Sequence, residues 1–125
     1  MAKILLAEGE TDLRWSLRYA LVKNKFEVVE VSSGDEIMDR CKREKPELIV
    51  LDAHMPRVTG MAALEALKAD PVTKAIPVLF MTLSSEKKGV EQALARGAKD
   101  VLPKTGFTVL KLIYSVRKAL EPVGA

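Results

Sequence analysis

LIVLD, residues 48–52, sets four apolar side chains in a row and closes them with an aspartate. A run without polar alternation is what a strand covered on both faces requires, and central strands of parallel sheets are covered in that way. PVLFMT (77–82) reads the same. KILLA (3–7), EVVEV (27–31) and DVLP (100–103) bring the short apolar runs to five. EVVEV is the most mixed of them and suits a sheet edge. Amphipathic stretches near 11–24, 34–44, 59–69, 85–96 and 107–120 lie between and after the runs. Thr11, Ser33, Ser85 and Thr108 stand where helix N-caps are expected, and Gly97 stands where a helix ends.

Strands alternating with helices mean βαβ units, a parallel sheet and right-handed crossovers. For five such units the expected fold is α/β: a flavodoxin-like (βα)5 doubly wound parallel sheet with strand order 2-1-3-4-5. Its switch point falls between strands 1 and 3, where ligands bind beyond the carboxyl ends. That order brings Glu8, which follows the first run, beside Asp52.

The chain has 125 residues, 48% hydrophobic and 30% charged, so it can bury a real core and is not a disordered composition. It is read as a single domain over residues 1–125. The tail EPVGA, soon after the last helix, fits either a stand-alone domain or one cut from a larger protein. No run approaches the roughly 20 apolar residues of a membrane span, and no signal peptide precedes the first strand. The net charge of +3 is spread among interspersed acids and bases, without a basic run carrying aromatics. Direct nucleic-acid binding by this domain is therefore not expected. The single cysteine, Cys41, excludes an intramolecular disulfide and agrees with a reducing compartment. A cytoplasmic location is expected.

Polar side chains stand where the apolar runs end: Glu8, Asp52, Thr82 and Lys104. Two carboxylates at ~4 Å repel by about 4 kcal/mol at an effective dielectric of 20, so the pair needs a counter-cation. Lys104 is one candidate and a hard divalent metal is another. Mg²⁺ takes one or two carboxylates together with water and phosphate oxygens. A carboxylate beside a cation and a hydroxyl also suits covalent aspartyl-phosphate chemistry.

LIVLDAHMPRVTG (48–60), followed by Thr82 in PVLFMT and Lys104 in GAKDVLPK, resembles the receiver domain of bacterial response regulators along essentially the whole chain. The resemblance implies that Asp52 is the phosphoacceptor and that the carbonyl of His54 is a metal ligand. Thr82 would then be the hydroxyl that moves onto the phosphoryl group, with Lys104 its ion-pair partner. It also implies Mg²⁺ as cofactor and a histidine kinase or phosphotransfer protein as donor. It implies a signalling domain, not a dedicated enzyme, and leaves the downstream partner unnamed.

The match fails at the first strand. The family carries two adjacent acids where this chain has Glu8 and Gly9, and the second usually binds the metal. Gly9 supplies no ligand, so Mg²⁺ binding through Glu8, Asp52 and the His54 carbonyl is expected to be weak. Glu10 and Asp12 are the only nearby acids that could compensate, and Glu10 is the candidate ligand of the two. A glycine here also reads simply as a tight strand exit. Three more departures lie nearby. Leu83 stands where a small residue is usual, Val101 where an aromatic switch is usual, and Thr105 where a proline, often cis, is usual. The peptide before Thr105 is expected to be trans.

These departures keep a second function open: a phosphorylation-independent pseudo-receiver acting as a protein-interaction module. Helix 1 supports it, because Leu13, Leu17, Ala20 and Leu21 share one face while Trp15, Tyr19 and Val22 fall roughly opposite. Trp15 and Tyr19 are the candidate partner surface, with packing against a neighbouring element as the alternative. Two other uses of such a fold fit poorly. A haloacid-dehalogenase-type phosphatase wants an aspartate where His54 stands, and a flavodoxin wants a hydroxyl- and glycine-rich loop after strand 1. His54 itself reads as a solvent-facing loop residue. Met55, Met61 and Met81 read as core or turn fillers, Cys41 as chemically silent, and Lys87 and Lys88 as a solvated face.

Overall fold

The computed structural model describes residues 1–83, 87–104, 106 and 108–121. Its strands are β1 (Lys3–Ala7), β2 (Glu27–Val31), β3 (Leu48–Asp52), β4 (Val78–Thr82) and β5 (Asp100–Pro103). They form one parallel sheet in the order β2-β1-β3-β4-β5, which is the flavodoxin-like (βα)5 order. The helices are α1 (Thr11–Lys23), α2 (Ile37–Glu44), α3 (Gly60–Ala69), α4 (Lys87–Ala95) and α5 (Val109–Leu120).

Strand alternation divides the core in two. Ile4, Leu6, Val50, Leu79 and Met81 face α1 and α5, where they meet Leu17, Leu21, Leu112 and Val116. Leu5, Ala7, Ile49, Leu51, Val78 and Phe80 face the other way, onto Ile37, Cys41, Leu64, Leu67 and Ala93. All five residues of β3 are buried, as its unbroken apolar run requires, while β2 at the edge is mostly exposed or half-buried. Burial pushes the Cys41 thiol up to about 12, so at neutral pH it is a small apolar side chain without thiolate reactivity.

Boundary chemistry agrees with the sequence only in part. Thr108 caps α5, its hydroxyl accepting from the Lys111 N–H at 3.1 Å. Gly97 ends α4 at φ +106°, with the Ala98 N–H returning to the Ala93 carbonyl. Thr11 does not cap α1. It is the first helical residue, preceded by Glu10. Ser33 bonds the Asp35 carboxylate instead of a helix amide, and a 3₁₀ turn over Gly34–Glu36 precedes α2. Thr59, absent from the expected caps, holds α3 through the Ala62 N–H. Ser85 lies outside the described residues.

Candidate functional site

The β1–β3 pairing sets Ala7 beside Leu51, so Glu8 and Asp52 emerge together at the carboxyl edge of the sheet. Both are 1% exposed. β4 follows, with Met81 level with Asp52 and Thr82 one step beyond. Thr82 in turn pairs with Pro103 of β5, and its carbonyl accepts from the Lys104 N–H at 2.7 Å. That bond aims Lys104 back across the strand ends.

The Lys104 ammonium lies 3.1 Å from Asp52 Oδ2 and 3.2 Å from Glu8 Oε2, with its side chain only 8% exposed. The carboxylates have backbone donors as well. Asp52 Oδ1 accepts from the His54 N–H at 3.0 Å, and Glu8 Oε2 from the Glu10 N–H at 3.0 Å. Burial raises the pKa of Glu8, and the adjacent Asp52 raises it further, against the pull of the Glu10 amide and Lys104. Burial works against ionised Asp52 too, but the His54 amide, Glu8 and Lys104 outweigh it and hold Asp52 below the ordinary carboxyl value. Burial opposes the charge of Lys104, and the two carboxylates overcome it, so its pKa is raised. Asp52 is thus the member of the pair whose ionised form the surroundings favour.

Glu8 Oε1 and Asp52 Oδ2 accept no hydrogen bond among the described residues, although Lys104 lies near the second. Hard, buried carboxylate oxygens of this kind fit a hard divalent cation such as Mg²⁺. Glu10 does not join them. It is exposed, and it contributes its backbone N–H to the site. Among the described residues no group of three or more His, Cys, Asp or Glu side chains converges as a metal cage.

Gly9 sits where a further ligand would matter. A Cβ built there would stand 3.6 Å from the His54 carbonyl oxygen and 3.0 Å from Cδ of Pro56. Its φ is not positive, so the strand exit does not itself demand glycine. Gly60 differs: a Cβ there would come within 2.1 Å of the Asp52 carbonyl oxygen, so α3 can abut the end of β3 only through glycine.

The remaining positions sort simply. The His54 side chain faces solvent, while Met55 and Met81 are buried and Met61 packs half-buried on the core. Leu83 is 54% exposed just past the strand end, and Val101 packs half-buried against the core. Thr105 lies outside the described residues. Leu17, Ala20 and Leu21 are buried, with Leu13 against the same core, while Trp15 and Tyr19 point outward. Sequence reasoning missed Arg14, whose Nη1 donates to the Glu8 carbonyl at 2.9 Å. Nothing in the sequence separates it from the other cations of α1.

Residues 4–116 match the family model of the response regulator receiver domain. The chain belongs to that family. This receiver domain is 32% identical over 121 residues to the phosphate regulon transcriptional regulatory protein PhoB of Rhizobium meliloti, covering 97% of this chain and 53% of that protein. It therefore spans about half the length of the curated relatives of that type. It is 30% identical to protein PilH of Pseudomonas aeruginosa, over 93% of this chain and 98% of that one. Among solved structures, the BeF3-activated N-terminal receiver domain of Klebsiella pneumoniae RstA superposes with a TM-score of 0.89 at 26% identity, covering 96% of this chain and 99% of that one. The signal receiver domain of a histidine kinase from Syntrophus aciditrophicus superposes equally well at 27% identity, covering 99% and 93%.

Receiver domains serve two-component signalling, interact with histidine kinases or phosphotransfer proteins, and generally bind Mg²⁺ for phosphorylation. They are signalling domains and not dedicated enzymes. Among the described residues no helix is long and apolar enough to cross a membrane.

Proposed function

We propose that this receiver domain accepts a phosphoryl group on Asp52 from a histidine kinase or phosphotransfer protein, in a pocket whose Mg²⁺ binding is weakened at Gly9. The observation that carries the reading is the Lys104 ammonium within 3.2 Å of both buried carboxylates. A carboxylate oxygen of Asp52 attacks the phosphorus of a phosphohistidine and forms the O–P bond. The P–N bond breaks, its electron pair stays on the imidazole, and that nitrogen takes up a proton. Lys104 follows the negative charge onto the phosphoryl oxygens, and the Thr82 hydroxyl orients one of them. Glu8, Asp52 and the His54 carbonyl would hold Mg²⁺, which supplies further positive charge where the phosphoryl oxygens crowd.

Addition of acetyl phosphate with Mg²⁺ is expected to shift the backbone amides of Glu8, His54, Thr82, Leu83 and Lys104 together. Val101 has no ring to move between exposed and buried positions, so the response should run through Thr82 and Leu83. Two-dimensional amide spectra check this. Shifts that spare residues 82–88 while appearing elsewhere would contradict the route of activation, and no shift at any of these amides would contradict phosphoryl acceptance.

A second reading, binding a protein partner independently of phosphate, draws on α1. Trp15 is 62% and Tyr19 52% exposed, and their rings stack at 5.6 Å with Lys23 over the tyrosine. An exposed aromatic pair of this size suits an interface. The double change Trp15→Ala, Tyr19→Ala should alter stability by only about 0.5 kcal/mol. It should weaken partner binding or dimerisation, the latter measured by sedimentation. Severe loss of thermal stability would mean that the rings serve the core.

A further inference from the structure

Glycine leaves a backbone freer than any other residue does, yet Gly9 directly follows the residue whose carboxylate must stay in the pocket. Every polar backbone atom of Glu8 is held. Its N–H donates to the Val31 carbonyl at 3.1 Å, and its carbonyl accepts from Arg14 Nη1 at 2.9 Å. Arg14 reaches back from the first turn of α1, where its own N–H donates to the Glu10 carbonyl at 2.9 Å. One residue therefore ties both ends of the Glu8-Gly9-Glu10 turn. The guanidinium is itself aimed. Its Nε lies 3.5 Å from one carboxylate oxygen of Glu30 on β2, whose other oxygen lies 3.3 Å from Arg18. The Arg14 side chain is only 18% exposed, so solvent screens this contact less than an ordinary surface pair.

We infer that Arg14 is a positioning residue of the site: its guanidinium, aimed by Glu30, clamps the Glu8 carbonyl and restrains the turn that Gly9 frees. The clamp stands on geometry alone, while its consequence for metal and phosphate rests on the function proposed above. Position 9 needs no left-handed backbone. The restraint therefore compensates for the freedom of glycine rather than for strain.

Amide hydrogen exchange at Glu10, whose N–H donates to Glu8 Oε2, reads the clamp without metal or phosphate. Arg14→Met keeps an apolar stem and removes the donors. It should speed Glu10 exchange by about tenfold, the loss of one charge-assisted hydrogen bond. Amides of β3 such as Val50 report global stability and serve as the reference. Arg14→Lys, with one donor able to reach the carbonyl, should recover part of the protection. In a Gly9→Ala background the turn is stiffer, and Arg14→Met should there speed exchange by only about threefold. Weak Mg²⁺ binding, followed by amide shifts, should fall in parallel with Glu10 protection. Unchanged Glu10 exchange in Arg14→Met, or an equal effect in both backgrounds, would overturn the inference. If Glu10 responds as stated while the wild type binds no Mg²⁺, the clamp stands and the metal reading fails.

Discussion

Gly9→Asp is expected to tighten Mg²⁺ binding by about tenfold or more, because affinity for a hard cation follows the number of anionic oxygen ligands. The introduced Cβ meets the Pro56 ring at 3.0 Å, and that ring lies in an exposed loop, so it can move by the few tenths of an ångström required. The Cβ would stand 3.6 Å from the His54 carbonyl oxygen, and the new carboxylate is expected to add negative charge on that side of the Glu8–Asp52 pair. Without a cation it repels both, which should lower the stability of the metal-free protein by about 1–2 kcal/mol. Saturating Mg²⁺ should restore that loss by linkage, since the ion binds only the folded pocket. Thermal melts with and without Mg²⁺, together with calorimetric titration, check both halves. If the wild type already binds Mg²⁺ as tightly as the variant, Glu8 or Glu10 fills the gap and the pocket is not impaired.

The fold was legible because its signals are about burial. LIVLD reads as a central strand since both faces of β3 are covered, and the mixed EVVEV reads as an edge since β2 has one neighbour. The pairing of Glu8 with Asp52 followed from strand order alone, and the reach of Lys104 to both was within the expected site. Local hydrogen-bond choices were less legible. Ser33 has the right chemistry for a cap, but its hydroxyl donates to the Asp35 carboxylate and accepts from no helix amide. Thr11 has it too, but Glu10 occupies the cap position. Gly9 reads in sequence as a missing ligand and also as a tight strand exit, and its backbone angle shows that no left-handed conformation demands the glycine. Arg14 was invisible because its role depends on a guanidinium bridging a carbonyl in the β1–α1 turn and a glutamate on the edge strand.

The second large effect is all-or-none. Asp52 is the one carboxylate of the pair held below its ordinary pKa, and the Lys104 ammonium stands beside it. Replacing it with asparagine would remove the oxygen anion proposed as nucleophile while keeping the side chain's shape, so acceptance of a phosphoryl group should cease with little change in fold. Glu8 is not expected to substitute, since burial raises its pKa. The decisive measurement is intact-mass and peptide-mapping mass spectrometry after incubation with acetyl phosphate at high Mg²⁺, for the wild type and Asp52→Asn in parallel. One phosphoryl adduct is expected on the wild type, mapped to the peptide carrying Asp52, and none on the variant. No adduct on the wild type, or an adduct that survives Asp52→Asn, would contradict phosphoryl acceptance on Asp52.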